Sequence, residues 1–253
     1  MLATLSSTVL SFYSVLNIDV AFIPEEVCVS EISDKAVLIV DVLRATSTIT
    51  TAIANGASFL IPVNTPAEAF ALNEKLNREP LLGGEVDGKL IEGFHLGNSV
   101  SEYTASKVKN KPIIIRTTNG TRAINVCSSA HHLIIGCFLN QSSCCHFLSQ
   151  LRSDILIVCS GKEGKFGIED VVFAGACVNI ISQIVTSEIN KSDSAVASEM
   201  LYQHCKPDIL QMLRNSEHGR YLIDIGLGDD LVLCAQVNTT NAVPIYFDGK
   251  IIK

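Results

Sequence analysis

Asp41 closes the apolar run AVLIVDV (36–42), and Arg44, Thr46, Ser47 and Thr48 come straight after it. A carboxylate at the end of a buried strand offers hard oxygens to a divalent cation such as Mg²⁺. A guanidinium three residues on offers a planar fork that matches phosphate or sulfonate oxygens. The plainer alternative is that Thr46 or Ser47 caps a helix and Asp41 pairs with Arg44. Asp plus Arg directly after a buried strand favours the chemical reading.

A second cluster, Arg116-Thr117-Thr118-Asn119-Gly120-Thr121-Arg122, again separates an apolar run from a helical one. Its amides and hydroxyls suit an anion at a helix N-terminus, with Arg122 one turn in. A third joins Gly83-Gly84-Glu85 to Gly93-Phe94-His95-Leu96-Gly97-Asn98-Ser99. Glu85 is a further hard oxygen ligand, Asn98 and Ser99 supply neutral hydrogen bonds, and His95, in an apolar and glycine setting, reads as structural. The fourth, Ser160 to Asp170, is a glycine-rich loop that ends in Glu169 and Asp170 at the start of a long helix. Acids are favoured at that position by the helix dipole alone. Ser216-Glu217-His218-Gly219-Arg220 joins two helices and is by itself a weak signal.

Several chemistries lack their residues. There is no GxxxxGK[ST] phosphate loop, no GxSxG elbow and no HExxH pair. Cys159 stands six residues before Lys165, which mimics a cysteine-phosphatase loop. That chemistry needs an arginine to clamp phosphate, and Cys159 lies in an apolar run where a thiolate is disfavoured.

These clusters must be positioned by an alternation of strands and helices. Strands are expected at Asn17–Phe22, Ala36–Val42, Ser58–Val63, Leu81–Val86, Pro112–Arg116, Leu133–Cys137 and Asp154–Cys159. Helices are expected at Thr46–Ala54, from Pro66 to about Asn77, and at Gly120–Cys127, Ser142–Leu151 and Glu169–Val185. Two or three more cover Ser192–Gly226, possible material for a small cap, before the apolar run Leu231–Gln236 and a hairpin at Asp248-Gly249. Asp87-Gly88 marks a tight turn. The pattern specifies an α/β fold, a largely parallel sheet with helices on both faces and extra helices near the C-terminus. Ligands gather beyond the C-terminal ends of such strands, where the clusters fall.

Composition narrows the partners. The 253 residues carry a formal charge of −7, 47% are hydrophobic and none is Trp. An acidic surface repels nucleic acid and anionic lipid, so neither is expected as a partner. The nine cysteines are scattered, odd in number and without a CxxC pair, as in a reducing compartment. Residues 1–16 read as a variable extension ahead of one domain over 17–253. With no spanning segment, the expectation is a cytoplasmic protein.

Together and in this order, the segments 40–57, 83–103, 113–124, 159–175 and 216–237 resemble the 2-phosphosulfolactate phosphatase family. The resemblance implies Mg²⁺-dependent hydrolysis of (R)-2-phospho-3-sulfolactate, a small acidic phosphate ester bearing a sulfonate, to 3-sulfolactate and phosphate. In methanogens that step belongs to coenzyme M biosynthesis, and a homodimer is compatible with the family. The corresponding roles are Mg²⁺ held by Asp41 and Glu85, with Glu169 or Asp170 completing the shell. Catalysis falls to Asp41, Arg44, Glu85 and Asp170. Substrate is bound by Arg44, Thr46, Asn98, Ser99, Thr117, Thr118, Asn119, Gly120, Thr121 and Arg122. Either a water activated by a carboxylate attacks phosphorus or Asp41 does so covalently; the water is preferred, since position 43 is Leu and not the second Asp of haloacid-dehalogenase-type phosphatases. His95 stands where an acid is expected. Two alternatives stay open: a phosphatase of another small acidic ester, and a non-catalytic anion-binding protein.

Overall fold

The computed structural model describes residues 15–76 and 79–253. The extension assigned to residues 1–16 lies outside them up to position 14, as does the expected helix end at Asn77. In chain order the strands are β1 (Leu16–Ala21), β2 (Ala36–Val40), β3 (Phe59–Pro62), β4 (Leu81–Val86), β5 (Lys89–Leu90), β6 (Pro112–Arg116), β7 (His132–Gly136), β8 (Ile155–Cys159), β9 (Ile189–Lys191), β10 (Ile245–Phe247) and β11 (Lys250–Ile252). The helices are α1 (Ala45–Ala54), α2 (Pro66–Lys75), α3 (Ala105–Val108), α4 (Gly120–Val126), α5 (Gln141–Gln150), α6 (Ile168–Ile184), α7 (Asp193–Cys205), α8 (Ile209–Asn215), α9 (Glu217–Asp224) and α10 (Asp229–Cys234).

The strands form one sheet in the order β5-β4-β6-β3-β11-β10-β7-β2-β8-β1-β9. Two parallel blocks, β4-β6-β3 and β7-β2-β8-β1-β9, are stitched together by the antiparallel hairpin β10–β11. The sheet is therefore largely parallel, as the alternation of elements requires. The apolar run Leu231–Gln236 begins inside α10, and β9 is an extra edge strand beside β1.

β2 lies between β7 and β8, and all five of its residues are buried. Ala36, Leu38 and Val40 point into one core with α5, α6 and α7 to α10, while Val37 and Ile39 point into the other with α1 and α4. A strand covered on both faces needs a continuous apolar sequence, which is why AVLIV does not alternate. The second core also takes Leu60 of β3 and Ile113 and Ile115 of β6. The two parallel blocks thus share a core, which brings the end of β6 towards the end of β2 although four strands separate them in the sheet.

Candidate active site

Asp41 is the first residue after β2, and the turn into α1 fixes it from both sides. Thr46 Oγ1 donates to the Asp41 carbonyl (2.8 Å) and accepts from the Asp41 amide (3.1 Å), while Ser47 Oγ donates to the Val42 carbonyl (2.9 Å). Thr48 Oγ1 donates to the carbonyl of Asn98 (2.9 Å), which ties this turn to the loop after β5. Asp41 Oδ1 accepts from the Ala45 amide at 3.2 Å. Gly120 is needed beneath the carboxylate: a Cβ there would lie 2.5 Å from Ala45 Cβ and 2.8 Å from Asp41 Oδ2.

Arg44 is 3% exposed and does not pair with Asp41. Its Nη1 binds Asp230 Oδ2 of α10 at 2.5 Å, and its Nη2 donates to the Gly88 carbonyl at 3.2 Å. Ser99 Oγ donates to the other Asp230 oxygen. A buried arginine needs such compensation, because an unpaired charge in a low-dielectric interior is strongly unfavourable.

The acids that open α6 complete the cluster. Asp170 Oδ1 accepts from the Val42 amide (2.8 Å) and Oδ2 from the Gly161 amide (3.1 Å), so it locks the β8–α6 loop to the end of β2. Glu169 Oε1 lies 3.3 Å from His218 Nδ1 of α9. Burial pushes the Asp41 carboxyl from its ordinary 3.8 up to about 6, with Glu85 and Glu169 adding to the rise and His218 and the Ala45 amide opposing it. Burial, with the charges of Asp41 and Glu169, pushes Asp170 well above the usual range, against its two amide donors. Two buried carboxyls, Asp41 and Asp170, whose charged forms are disfavoured by burial and by neighbouring acids, make a site poised for a cation.

Glu85, at the end of β4, is held by its neighbours. Its Oε2 accepts from the Gly88 amide (2.7 Å) and its Oε1 from the Thr118 amide (2.7 Å). Asp87 and Gly88 both take left-handed backbone, the tight turn expected between β4 and β5.

Around these groups opens a cavity of about 120 Å³, whose walls include Asp41, Arg44, Glu85, Asn98, Thr118, Asn119, Lys162, His218 and Tyr221. Asn98 Oδ1 is buried and finds no hydrogen-bond partner among the described residues. Glu169 lines an adjoining cavity with His218, Asp170 is held by the Val42 and Gly161 amides, and Ser99 and Thr46 brace Asp230 and Asp41 from outside the lining. Thr117 and Thr121 hydrogen-bond each other across the first turn of α4: Thr117 Oγ1 accepts from the Thr121 amide, and Thr121 Oγ1 donates to the Thr117 carbonyl. Arg122 is not brought to the cavity; it is 43% exposed and pairs with Glu25 on the surface. His95 Nδ1 accepts from the Leu82 amide at 2.9 Å, a structural role.

The sequence assigns no site role to Asp230, Lys162 or Tyr221, and His218 lies in a cluster that is by itself a weak signal. Asp229-Asp230 ahead of an apolar run is a helix-start signal that marks α10, but nothing in it points to Arg44. Cys159 is buried, and burial drives its thiol well above the ordinary range, which argues against a nucleophile; all nine cysteines are free.

The donor set tests whether Mg²⁺ suits the site. Among the described residues, no three His, Cys, Asp or Glu side chains already converge as a metal cage. Mg²⁺ seldom uses one, since it keeps several waters and takes one or two carboxylates plus substrate oxygens. Among the described residues Asp41 Oδ2 makes no hydrogen bond, and the Asp170 oxygens each keep a lone pair beyond the amide they accept. The residues fit. Among the described residues, no helix is long and apolar enough to cross a membrane.

Known proteins resemble this chain over most of its length. Residues 21–249 match the family model described as 2-phosphosulpholactate phosphatase. A protein of Symbiobacterium thermophilum named "Probable 2-phosphosulfolactate phosphatase" is 37% identical over 223 residues, 88% of this chain and 95% of its own. Proteins of the same name from Caldanaerobacter subterraneus (39% over 220 residues, 87% and 90%) and Clostridium acetobutylicum (32% over 237 residues, 94% and 100%) are also similar.

Proposed function

The chain belongs to the 2-phosphosulpholactate phosphatase family, and on that premise we propose that it hydrolyses (R)-2-phospho-3-sulfolactate to 3-sulfolactate and phosphate with Mg²⁺ as cofactor. The observation that carries this reading is a small open cavity lined by two buried acids, Asp41 and Glu85, and a buried arginine, with the buried acids Glu169 and Asp170 next to Asp41. A binding protein for anions has no use for clustered carboxylates; a phosphatase that neutralises them with a divalent cation does.

Asp41 and Asp170 would hold the cation, with Glu169 next to them, and Glu85 would keep the β4–β5 turn and the Thr118 loop in register. When bound, Mg²⁺ offsets the negative charge that builds on the phosphoryl oxygens. Arg44, held by Asp230 and Gly88, keeps further N–H groups for a phosphoryl oxygen. The side-chain amide of Asn98 and the hydroxyl of Thr118 add neutral contacts. Arg122, paired on the surface with Glu25, is left out of this assignment. A water attacks phosphorus, the ester P–O bond breaks, and the protons of that water leave with the released phosphate. His218, oriented through Nδ1 by Glu169, gives a proton from Nε2 to the departing oxygen.

Phosphate release from racemic phosphosulfolactate, with Mg²⁺ or EDTA, for the wild type and Asp41→Ala, tests the reading. Mg²⁺-dependent release that the folded variant lacks supports it. A folded, Mg²⁺-supplied wild type that releases phosphate from no acidic ester refutes it.

A further inference from the structure

The loop between β8 and α6 contains a feature that the acid cluster does not explain. Lys162 and Lys165 exchange two backbone hydrogen bonds, 3.0 and 2.9 Å, around Glu163 and Gly164. Both turn residues have positive φ, at 54° and 74°, so the loop is a two-residue hairpin of the tight left-handed type. It is anchored at two places. The Glu163 amide donates to Asn119 Oδ1 at 3.2 Å, and the Lys162 ammonium lies 4.4 Å from the centre of the Tyr221 ring. Tyr221 is itself fixed, its hydroxyl donating to the Asp87 carbonyl at 2.8 Å.

Lys162 therefore bridges two elements that line the cavity, and it is the cation there whose charge is not already answered. Arg44 is neutralised by Asp230. Lys162 has no carboxylate partner among the described residues; its neighbour is the face of an aromatic ring, which holds an ammonium while leaving its N–H groups free. A second cavity of about 170 Å³ lies beyond it and shares Lys162, Glu163 and His218 with the first. A substrate whose phosphate sits by Asp41 and Arg44 thus has room to extend past Lys162.

We infer that Lys162 is a specificity-determining residue: its ammonium, seated on Tyr221, binds the acid group of the substrate that does not react. The site then selects phosphate monoesters that carry a second strong acid a few bonds from the phosphate. This inference rests on the phosphatase reading for its substrate class, but the anion contact can be measured without turnover.

Lys162→Met removes the charge and keeps an apolar stem for the Tyr221 ring. With the full Mg²⁺-supplied protein, KM for phosphosulfolactate rises about tenfold in this variant, the loss expected of one charge-assisted contact. Its kcat stays within about twofold of wild type, since the contact is equal in ground and transition states. KM for glycerol 1-phosphate, which has no second acid, is unchanged, and Lys162→Arg recovers most of the loss. A purely structural lysine moves both substrates alike, and that result overturns the inference. Calorimetry with 3-sulfolactate supplies the second measurement: binding weakens about tenfold in Lys162→Met, and equal affinity in the two folded proteins also overturns it. If the wild type hydrolyses neither ester yet binds sulfolactate through Lys162, the phosphatase reading fails and the anion site stands. If it neither hydrolyses nor binds, both fall.

Discussion

The β2–α1 loop and the β6–α4 loop both lead from a buried strand into a helix, and both turn their hydroxyls onto their own backbone. Thr46 and Ser47 brace the first turn of α1, as Thr117 and Thr121 brace that of α4. The loops differ in what happens to their charges. In the first, Asp41 and Arg44 are buried, 6% and 3% exposed; Asp41 is held by its own turn and Arg44 by Asp230, far away in sequence. In the second, Arg122 turns outward to Glu25, and the loop gives the cavity Thr118 and Asn119, with the bare Cα of Gly120 beneath Asp41. Hydroxyls after a strand are thus a scaffold signal; chemistry follows the charges that the fold keeps inside.

Breaking the buried ion pair gives the largest effect. Arg44→Ala leaves Asp230 buried without its cation, and Asp230→Ala does the reverse; each loses about 3–5 kcal/mol in urea unfolding. An Arg44→Met, Asp230→Leu double variant recovers part of that stability but no activity.

Asp41→Asn comes next and separates function from stability. Phosphate release falls by about 10²–10³-fold. The metal-free protein, however, gains about 1–3 kcal/mol at pH 7.5. The wild-type acid has a folded value of about 6 against an ordinary 3.8. Its contribution to stability is therefore full below about pH 4 and is lost as pH rises through 6, while the amide loses nothing. Unfolding curves at pH 4 and 7.5 should show the gain only at the higher pH, and Mg²⁺ should stabilise the wild type more than the variant. A variant less stable than wild type at pH 7.5 would contradict the burial argument.

Gly120→Ala tests a place where the two loops touch. The added Cβ pushes on Ala45 and Asp41, and overpacking of this kind destabilises by about 1–3 kcal/mol. It should lower kcat more than it raises KM, since the displaced group is the carboxylate. Arg122→Ala completes the series: stability should change by less than about 0.5 kcal/mol and KM by less than about twofold. A tenfold rise in KM would return Arg122 to the site.

Much of the framework is legible in the sequence, for local reasons. The strand Pro112–Arg116 matches to the residue, because a Pro-led apolar run followed by hydroxyls has few other solutions. The helix at 168–184 and the left-handed turn at Asp87-Gly88 follow from length, periodicity and turn chemistry. The short edge strand Ile189–Lys191 carries too few apolar residues to stand out. Asp41, Arg44, Glu85, Glu169 and Asp170 are recognisable as residues of a site. His218, Lys162 and Tyr221 are not, since each lies in a polar stretch that reads equally well as a solvated loop or helix face.

Read alone, the chain determines an α/β framework and which charged residues stand at strand ends, because hydrophobic periodicity and turn preference act between near neighbours. Only the tertiary structure decides which of those charges meet. Arg44 and Asp230 are 186 residues apart, Asp170 reaches Val42 across 128, and Gly120 arrives under Asp41 because the two parallel blocks share a core. Desolvation and Coulomb attraction act through space, and so the arginine is buried after β2, as Arg44, and left at the surface after β6, as Arg122.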